Sequence, residues 1–379
     1  MIQYEVVIVG GGPSGSSLAY LLKKRGVSCC IIDKSQFPRE KLCGGLLTEK
    51  TVSLLADVYG EIQFPYENIS SSVSLFYEGK KLSTVSTGSK FYLVKRYDFD
   101  YHLIQCYERI GGKVFLGKVI KEINKSARQI ILKNGETISY KILVGADGAN
   151  SLVRKNITPK YRANAICVES VNNSQKMNDD ICVYFDNRKS GYGWCFPKKG
   201  YYSVGIGGNI ESFRNIKRTF VKFSDEIGKP VNEKEIKGAL IPFGKYVKKP
   251  YNSDTILVGD AAGLVDPITG EGLFFAFLSA RMASEAIVER LTNGTDFCKS
   301  YGKKIKKIHA IIKDANRFLK TFFRPIIKKR ILTLLEGRRH IVRFYCENLL
   351  ANYLISYMSF PLKYFIARQR RNHTKEGKG

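Results

Sequence analysis

Three glycines in the pattern Gly10-x-Gly12-x-x-Gly15, followed by Asp33, are the residues whose types and spacing speak most directly of chemistry. The chemistry is the gripping of a dinucleotide. Gly10 permits a tight turn, Gly12 lets backbone approach a pyrophosphate, and Gly15 lets a helix and a strand pack closely. The N-terminus of the following helix offers free N–H groups and a positive dipole end to phosphate. Asp33 is in register to accept hydrogen bonds from a ribose, and Lys34 and Arg39 follow it in the candidate set. A second glycine–acid pair, Gly259-Asp260, closes another apolar run much later in the chain. His102, His309, His340 and His373 are far apart and lack ligand spacing, so no metal set is expected. There is no Gly-x-Ser-x-Gly elbow either.

The elements that must position these residues can be read from periodicity. Tyr4 to Val9 is a continuous apolar run, as a buried parallel strand should be. Ser14 to Arg25 reads as a helix with Leu18, Leu21 and Leu22 on one face, and Ser28 to Ile32 as a second strand. That completes a βαβ unit of ordinary length. Further on, Phe99 to Ile110 has helical spacing, Lys113 to Leu116 reads as a strand, and a hairpin turns at Asn134-Gly135 before the buried strand Ile142 to Val144. From about 160 to 244 the pattern alternates, with strands at Gly191 to Phe196 and Tyr201 to Ile206, and predicts a separate antiparallel sheet. Thr255 to Val258 returns to the buried-strand pattern, and a helix follows from Leu273 to Leu291.

Composition sets outer bounds. The nine cysteines are odd in number and scattered, with no Cys-x-x-Cys pair, so reduced thiols are expected. The run at Val6 stops at glycines and not at a cleavage site, so a cytoplasmic location is expected, and the basic C-terminal tail adds the inner face of the membrane to that expectation. The formal charge of +28 is concentrated: between Lys299 and Gly379 there are 21 Lys and Arg against four acidic residues. Such an excess suggests an anionic membrane surface, nucleic acid or an acidic partner, and solvated surface charge is the plainer alternative. No nucleic-acid-binding motif accompanies it. Lys303 to Phe323 predicts an amphipathic helix with a basic face. Phe344 to Ala367 is apolar but interrupted by Glu347, Pro361 and Lys363, and reads as surface-lying or packed, not spanning.

Longer motifs carry a resemblance. Ile142-Leu-Val-Gly-Ala-Asp147-Gly148 is similar to the Asp-Gly motif of para-hydroxybenzoate-hydroxylase-like flavoproteins, Leu257-Val-Gly259-Asp260 to their Gly-Asp motif, and Arg96-x-x-Phe-Asp100 to the helix start between them. Within that superfamily, Pro38-Arg39-Glu40-Lys41-Leu42-Cys43-Gly44-Gly45, Tyr192-Gly-Trp194-Cys-Phe196-Pro197 and the loop from Asp260 to Gly272 resemble the geranylgeranyl reductase family, in motif order over about residues 4 to 290. The resemblance implies FAD as cofactor, Asp260 on its ribityl chain, and Arg96 close by. Gly44, Gly270 and Gly272 would let backbone lie against the flat isoalloxazine.

It further implies a reductase that saturates C=C bonds of a prenyl lipid. Cys43 is the candidate catalytic residue, a thiol that could protonate the alkene carbon not receiving hydride. Its bland alternative is an inert buried cysteine. Tyr192, Trp194 and Phe196 are the candidate substrate wall, with ordinary core packing the alternative for Trp194. No second glycine fingerprint opens a helix, so NAD(P)H would dock only transiently, and a ferredoxin-like donor is equally allowed. The fold class expected is α/β: a Rossmann-like FAD-binding domain from 1–60, 93–158 and 250–295, an antiparallel-sheet substrate domain from 61–92 and 159–249, and a basic helical C-terminal region from 296–379. Two other functions fit the same scaffold. One is a flavin monooxygenase or halogenase; the other is a membrane-peripheral flavin-binding protein without turnover.

Overall fold

The computed structural model describes residues 2–61, 63–173, 178–186 and 190–351. In chain order the strands are β1 (Ile2–Val9), β2 (Cys29–Ile32), β3 (Leu46–Leu47), β4 (Asn68–Tyr77), β5 (Lys80–Leu93), β6 (Lys113–Phe115), β7 (Ile120–Asn124), β8 (Gln129–Leu132), β9 (Thr137–Gly145), β10 (Ala165–Asn172), β11 (Ile181–Phe185), β12 (Tyr192–Pro197), β13 (Tyr202–Asn209), β14 (Lys237–Ile241) and β15 (Thr255–Leu257). The helices are α1 (Pro13–Lys24), α2 (Glu49–Tyr59), α3 (Arg96–Arg109), α4 (Leu152–Lys155), α5 (Ile216–Glu226), α6 (Leu273–Asn293), α7 (Tyr301–Phe322), α8 (Pro325–Leu335) and α9 (Arg339–Ala351).

Seven strands make the first sheet. Its centre is parallel, β6-β2-β1-β9, and β9 continues to β15 at its C-terminal end and to the antiparallel pair β8 and β7 at its N-terminal end. Val6, Val7 and Ile8 are fully buried, in one core with Leu18 and Leu22 of α1, Leu103 of α3 and Phe277 of α6. The consequence for function lies at one edge. β1, β2, β9 and β15 all end on the same side, which delivers Gly10, Asp33, Asp147 and Asp260 together. Crevices at the carboxyl ends of such strands are where α/β proteins bind ligands.

The second sheet runs β14-β10-β13-β12-β11-β4-β5-β3. It is antiparallel as expected except at one place: β11 pairs parallel with β4, Ile181 opposite Val73. The period of two shows which face a residue takes and not the direction of its neighbour, so sequence alternation could not reveal this. β12 shows how the two faces divide. Trp194 and Phe196 pack on one face with Val73, Leu93 and Cys167, while Cys195 packs on the other with Val204 and with Phe220 and Phe223 of α5.

The C-terminal helices modify one expectation. α7 is amphipathic, but its apolar side is already spent: Ile305, Ile308 and Ile312 are buried in the core of the first sheet, and Tyr301 donates to the Leu257 carbonyl at 2.8 Å. What α7 shows to solvent is its lysines. In α9, Val342 and Cys346 pack on the second sheet. The rest of the apolar stretch to Ala367 lies outside the described residues. No helix among those described is long and apolar enough to cross a membrane.

Candidate active site

A cleft of about 1030 Å³ opens where the strand ends of the first sheet face β10, β12, β13 and β14 of the second. Gly10, Gly12, Asp33, Lys34, Arg39, Cys43, Gly44, Arg96, Asp147, Asp260, Gly270, Gly272, Tyr192, Trp194 and Phe196 all line it. Residues more than 200 positions apart in the chain therefore share one wall. Gly15 and Gly259 do not line it. A Cβ on Gly15 would stand 1.9 Å from the Gly10 carbonyl oxygen, and one on Gly259 would stand 2.9 Å from Ser14 Oγ. These two glycines serve helix–strand packing behind the cleft.

Gly12 is different. Its φ of −71° suits any residue, and a Cβ there would meet only Arg39 Nη2 at 3.6 Å, an ordinary contact. Nothing inside the protein requires glycine at this position. The space it keeps open belongs to the cleft, immediately before the N-terminus of α1. That is the cradle a pyrophosphate needs.

The electrostatics agree. Asp100, fully buried in α3, accepts two hydrogen bonds from Arg96 at 2.5 and 2.7 Å and pairs with Arg39 at 3.2 Å. Two guanidinium groups on one carboxylate leave a positive surplus, and Arg39 Nη1 is buried without a hydrogen-bond partner. A buried cationic donor left unpaired costs free energy, so this one is built for an acceptor that the protein itself does not supply. Lys34, Lys41 and Lys118 line the same cleft. Asp33 accepts from the Gly11 amide at 2.7 Å and the Ser35 amide at 2.8 Å, which fixes the glycine loop and leaves further acceptor capacity for a ribose.

On the far side of the cleft, burial pushes the Asp260 carboxyl up from its ordinary value, opposed by the charges of Lys41, Arg96 and Arg154. Arg154 also donates to the Asp260 and Ala261 carbonyls at 3.3 and 3.1 Å, tying the Asp147 loop to the Asp260 loop. Glu271 accepts from Thr48 and Thr51 at 2.7 and 3.1 Å and pairs with Lys50 at 2.7 Å, anchoring the Gly270–Gly272 segment to α2. Sequence reading missed Asp100 as an organiser, Lys41 and Lys118 as lining charges, and Glu271 as an anchor. Lys41, Asp100 and Glu271 stood inside motifs that could have flagged them; Lys118 did not.

Cys43 is half-buried in the cleft wall. Its Sγ accepts from the Gly45 amide at 3.4 Å, and the Arg96 guanidinium is its charged neighbour. A Cβ on Gly44 would stand 2.8 Å from the Phe196 ring and 3.3 Å from Trp194 Nε1, so the thiol's own loop sits directly against the aromatic wall. Tyr192 lines the cleft beside Trp194, and its hydroxyl donates to the Thr269 carbonyl, which also fastens the second sheet to the Gly270 loop.

A parallel sheet with a glycine cradle at its carboxyl edge, a cationic pocket, and a half-buried thiol against an aromatic wall define a flavoprotein oxidoreductase. FAD fits the residues present. Comparison with known proteins makes the class particular: the chain belongs to the FAD binding domain family, whose model matches residues 3–311, and within it to the geranylgeranyl reductase-like oxidoreductases. It is 32% identical to the chloroplastic geranylgeranyl diphosphate reductase of Oryza sativa subsp. japonica over 77% of this chain and 68% of that protein. It is 27% identical to a 1H-pyrrole-2-carbonyl-[peptidyl-carrier protein] chlorinase of Pseudomonas fluorescens over 88% and 89%. A geranylgeranyl bacteriochlorophyll reductase-like structure from Thermoplasma acidophilum shares the fold, with a TM-score of 0.70 at 23% identity over 90% of this chain and 92% of that one.

Proposed function

We propose that the chain is an FAD-dependent reductase that saturates isolated C=C bonds of a prenyl-chain lipid. The observation that carries this reading is the setting of Cys43: a thiol beside an arginine, with the apolar Trp194–Phe196 wall against its loop. Reducing an isolated alkene takes a hydride at one carbon and a proton at the other, because an unassisted carbanion is too costly. The reduced flavin, when bound, supplies the hydride. Cys43 gives its proton to the other carbon, and the thiolate left behind is stabilised by the Arg96 guanidinium and the Gly45 N–H until solvent reprotonates it. Trp194 and Phe196 hold the chain and exclude water. Gly10, Gly12, Asp33, Lys34, Arg39, Asp147 and Asp260 hold the nucleotide, on the discontinuous domain division expected from sequence. Two electrons per bond come from an external donor, either NAD(P)H docking transiently or a ferredoxin-like protein.

The substrate suggests a location. Exposed Lys303, Lys306, Lys307, Lys313, Lys329 and Arg330 face solvent, and Ile326 is 70% exposed on α8. Anionic lipid attracts each nearby Lys or Arg by about 1 kcal/mol, so the C-terminal helices would hold the cleft near the cytoplasmic membrane face. The likeness to a chlorinase keeps a halogenase or monooxygenase as the second reading. Anaerobic incubation of dithionite-reduced protein with prenyl diphosphates, prenyl lipids and quinones separates them. Mass gains of two hydrogens per bond support the reductase. No gain across the panel, with halide- or oxygen-dependent product in air, overturns it.

A further inference from the structure

Lys198 stands at the turn after β12, and its side chain is buried, only 4% exposed. Burying an ammonium is expensive, and a methionine would fill the same space without that penalty. Its Nζ donates to the Val94 carbonyl at 2.8 Å. The Val94 amide donates to the Gly45 carbonyl at 2.7 Å, and the Gly45 amide reaches Cys43 Sγ. A Cβ on Gly45 would lie 2.1 Å from the Val94 oxygen and 3.0 Å from Lys198 Nζ, so three groups converge on one point with no slack. Val94 also joins β5 to Lys95, the residue that caps α3, and α3 begins at Arg96. The ammonium therefore fixes the corner from which both neighbours of the thiol, the Gly45 N–H and the Arg96 guanidinium, are presented.

We propose that Lys198, balanced by Glu169 of β10, is a positioning residue that sets the placement of the Cys43 thiol. This rests on the reading of Cys43 as the working thiol, but its geometry can be measured without turnover. Glu169 is the strongest opposing charge felt by the ammonium. Its Oε2 is buried without a hydrogen-bond partner. Lys237 and Glu40 act on Glu169 from β14 and the Cys43 loop; Glu67 and Cys43 act on Lys198; Glu67, Glu169, Glu40 and Asp98 act on Tyr201. Burial holds the Lys198 ammonium down to about 8 and the Glu169 carboxyl up to about 7, each resisted by the other's charge. Removing the Glu169 charge should make Lys198 lose its proton at lower pH.

The test is peptide-mapped alkylation of the FAD-loaded full-length protein, with the exposed Cys298 as internal reference. Lys198→Met leaves Glu169 without its counter-charge and can fail to fold, so Lys198→Met/Glu169→Gln, which removes both charges, is measured beside it. Cys43 alkylation relative to Cys298 should rise roughly fivefold or more in the double variant, as the corner loosens. In Glu169→Gln the alkaline rise of that ratio should begin at lower pH. Ratios within about twofold of wild type in the double variant, with an unshifted profile in Glu169→Gln, would overturn the proposal. Unchanged turnover in Cys43→Ala would remove the proton donor and leave the alkylation result standing, so the two failures are distinguishable.

Discussion

Replacing Gly12 with alanine should separate folding from cofactor binding. The backbone at Gly12 is in an extended region that alanine adopts freely, and the added methyl would meet nothing closer than 3.6 Å. Without FAD the variant should therefore be as stable as wild type, or more stable by about 0.4–1 kcal/mol, because alanine restricts the unfolded chain. With FAD the methyl occupies the surface on which the pyrophosphate must lie. Pushing the phosphates off the α1 amides forfeits hydrogen bonds to charged groups, worth about 1.5–3 kcal/mol, which corresponds to a Kd weaker by roughly 10- to 150-fold. Gly15→Ala provides the contrast, because its methyl would stand 1.9 Å from the Gly10 oxygen and should destabilise the fold with or without cofactor. Calorimetric titration of FAD and urea unfolding of the FAD-free proteins measure both quantities. If Gly12→Ala lost folding stability while binding FAD at wild-type strength, the assignment of that space to the cofactor would be wrong.

Further outcomes follow from the same geometry. Cys43→Ala should keep FAD, shown by an unchanged flavin spectrum, and lose about 10²–10⁴ in turnover of the alkene substrate, measured anaerobically. Asp260 is held above its ordinary carboxyl value by burial, so in the FAD-free protein its contribution to stability is present at low pH and lost as pH rises through its folded value. Asp260→Asn should accordingly stabilise the FAD-free protein at pH 7 relative to wild type, with the difference shrinking toward pH 4, while weakening FAD; denaturation across pH checks the sign. For membrane attraction, removing residues 300–379 is the wrong perturbation, because it would strip Tyr301, Ile305 and Ile308 from the core. Reversing Lys306, Lys307, Lys313 and Lys329 to glutamate should instead lower binding to anionic vesicles in a cosedimentation assay, and full retention would count against an electrostatic role.

The nucleotide edge of the fold was legible because its signals are local. A glycine turn between a strand and a helix announces itself in a few residues, and Val6 to Val9 could hardly be anything but a buried strand. The parallel pairing of β11 with β4 was not legible, since the chain between them carries no mark of direction. The amphipathic pattern of α7 was read correctly as a pattern, yet periodicity cannot say whether an apolar face meets lipid or core. Here it meets the core around Leu257. Lys198 was invisible for a related reason: a buried charge looks like a surface charge until the sheet that covers it is seen. Gly259 shows the same limit inside a recognised motif: the fingerprint had already given Gly15 to helix–strand packing, but nothing in the spacing said that Gly259 admits Ser14 of α1 and does not face the ligand.

The decisive measurement is anaerobic and spectroscopic. Reduced protein mixed with a matched prenyl substrate should regain the oxidised flavin absorbance without oxygen, with one double bond lost for each flavin reoxidised. A flavin that stays reduced beside every prenyl substrate, and changes only when air is admitted, would contradict alkene reduction as the reaction of this cleft.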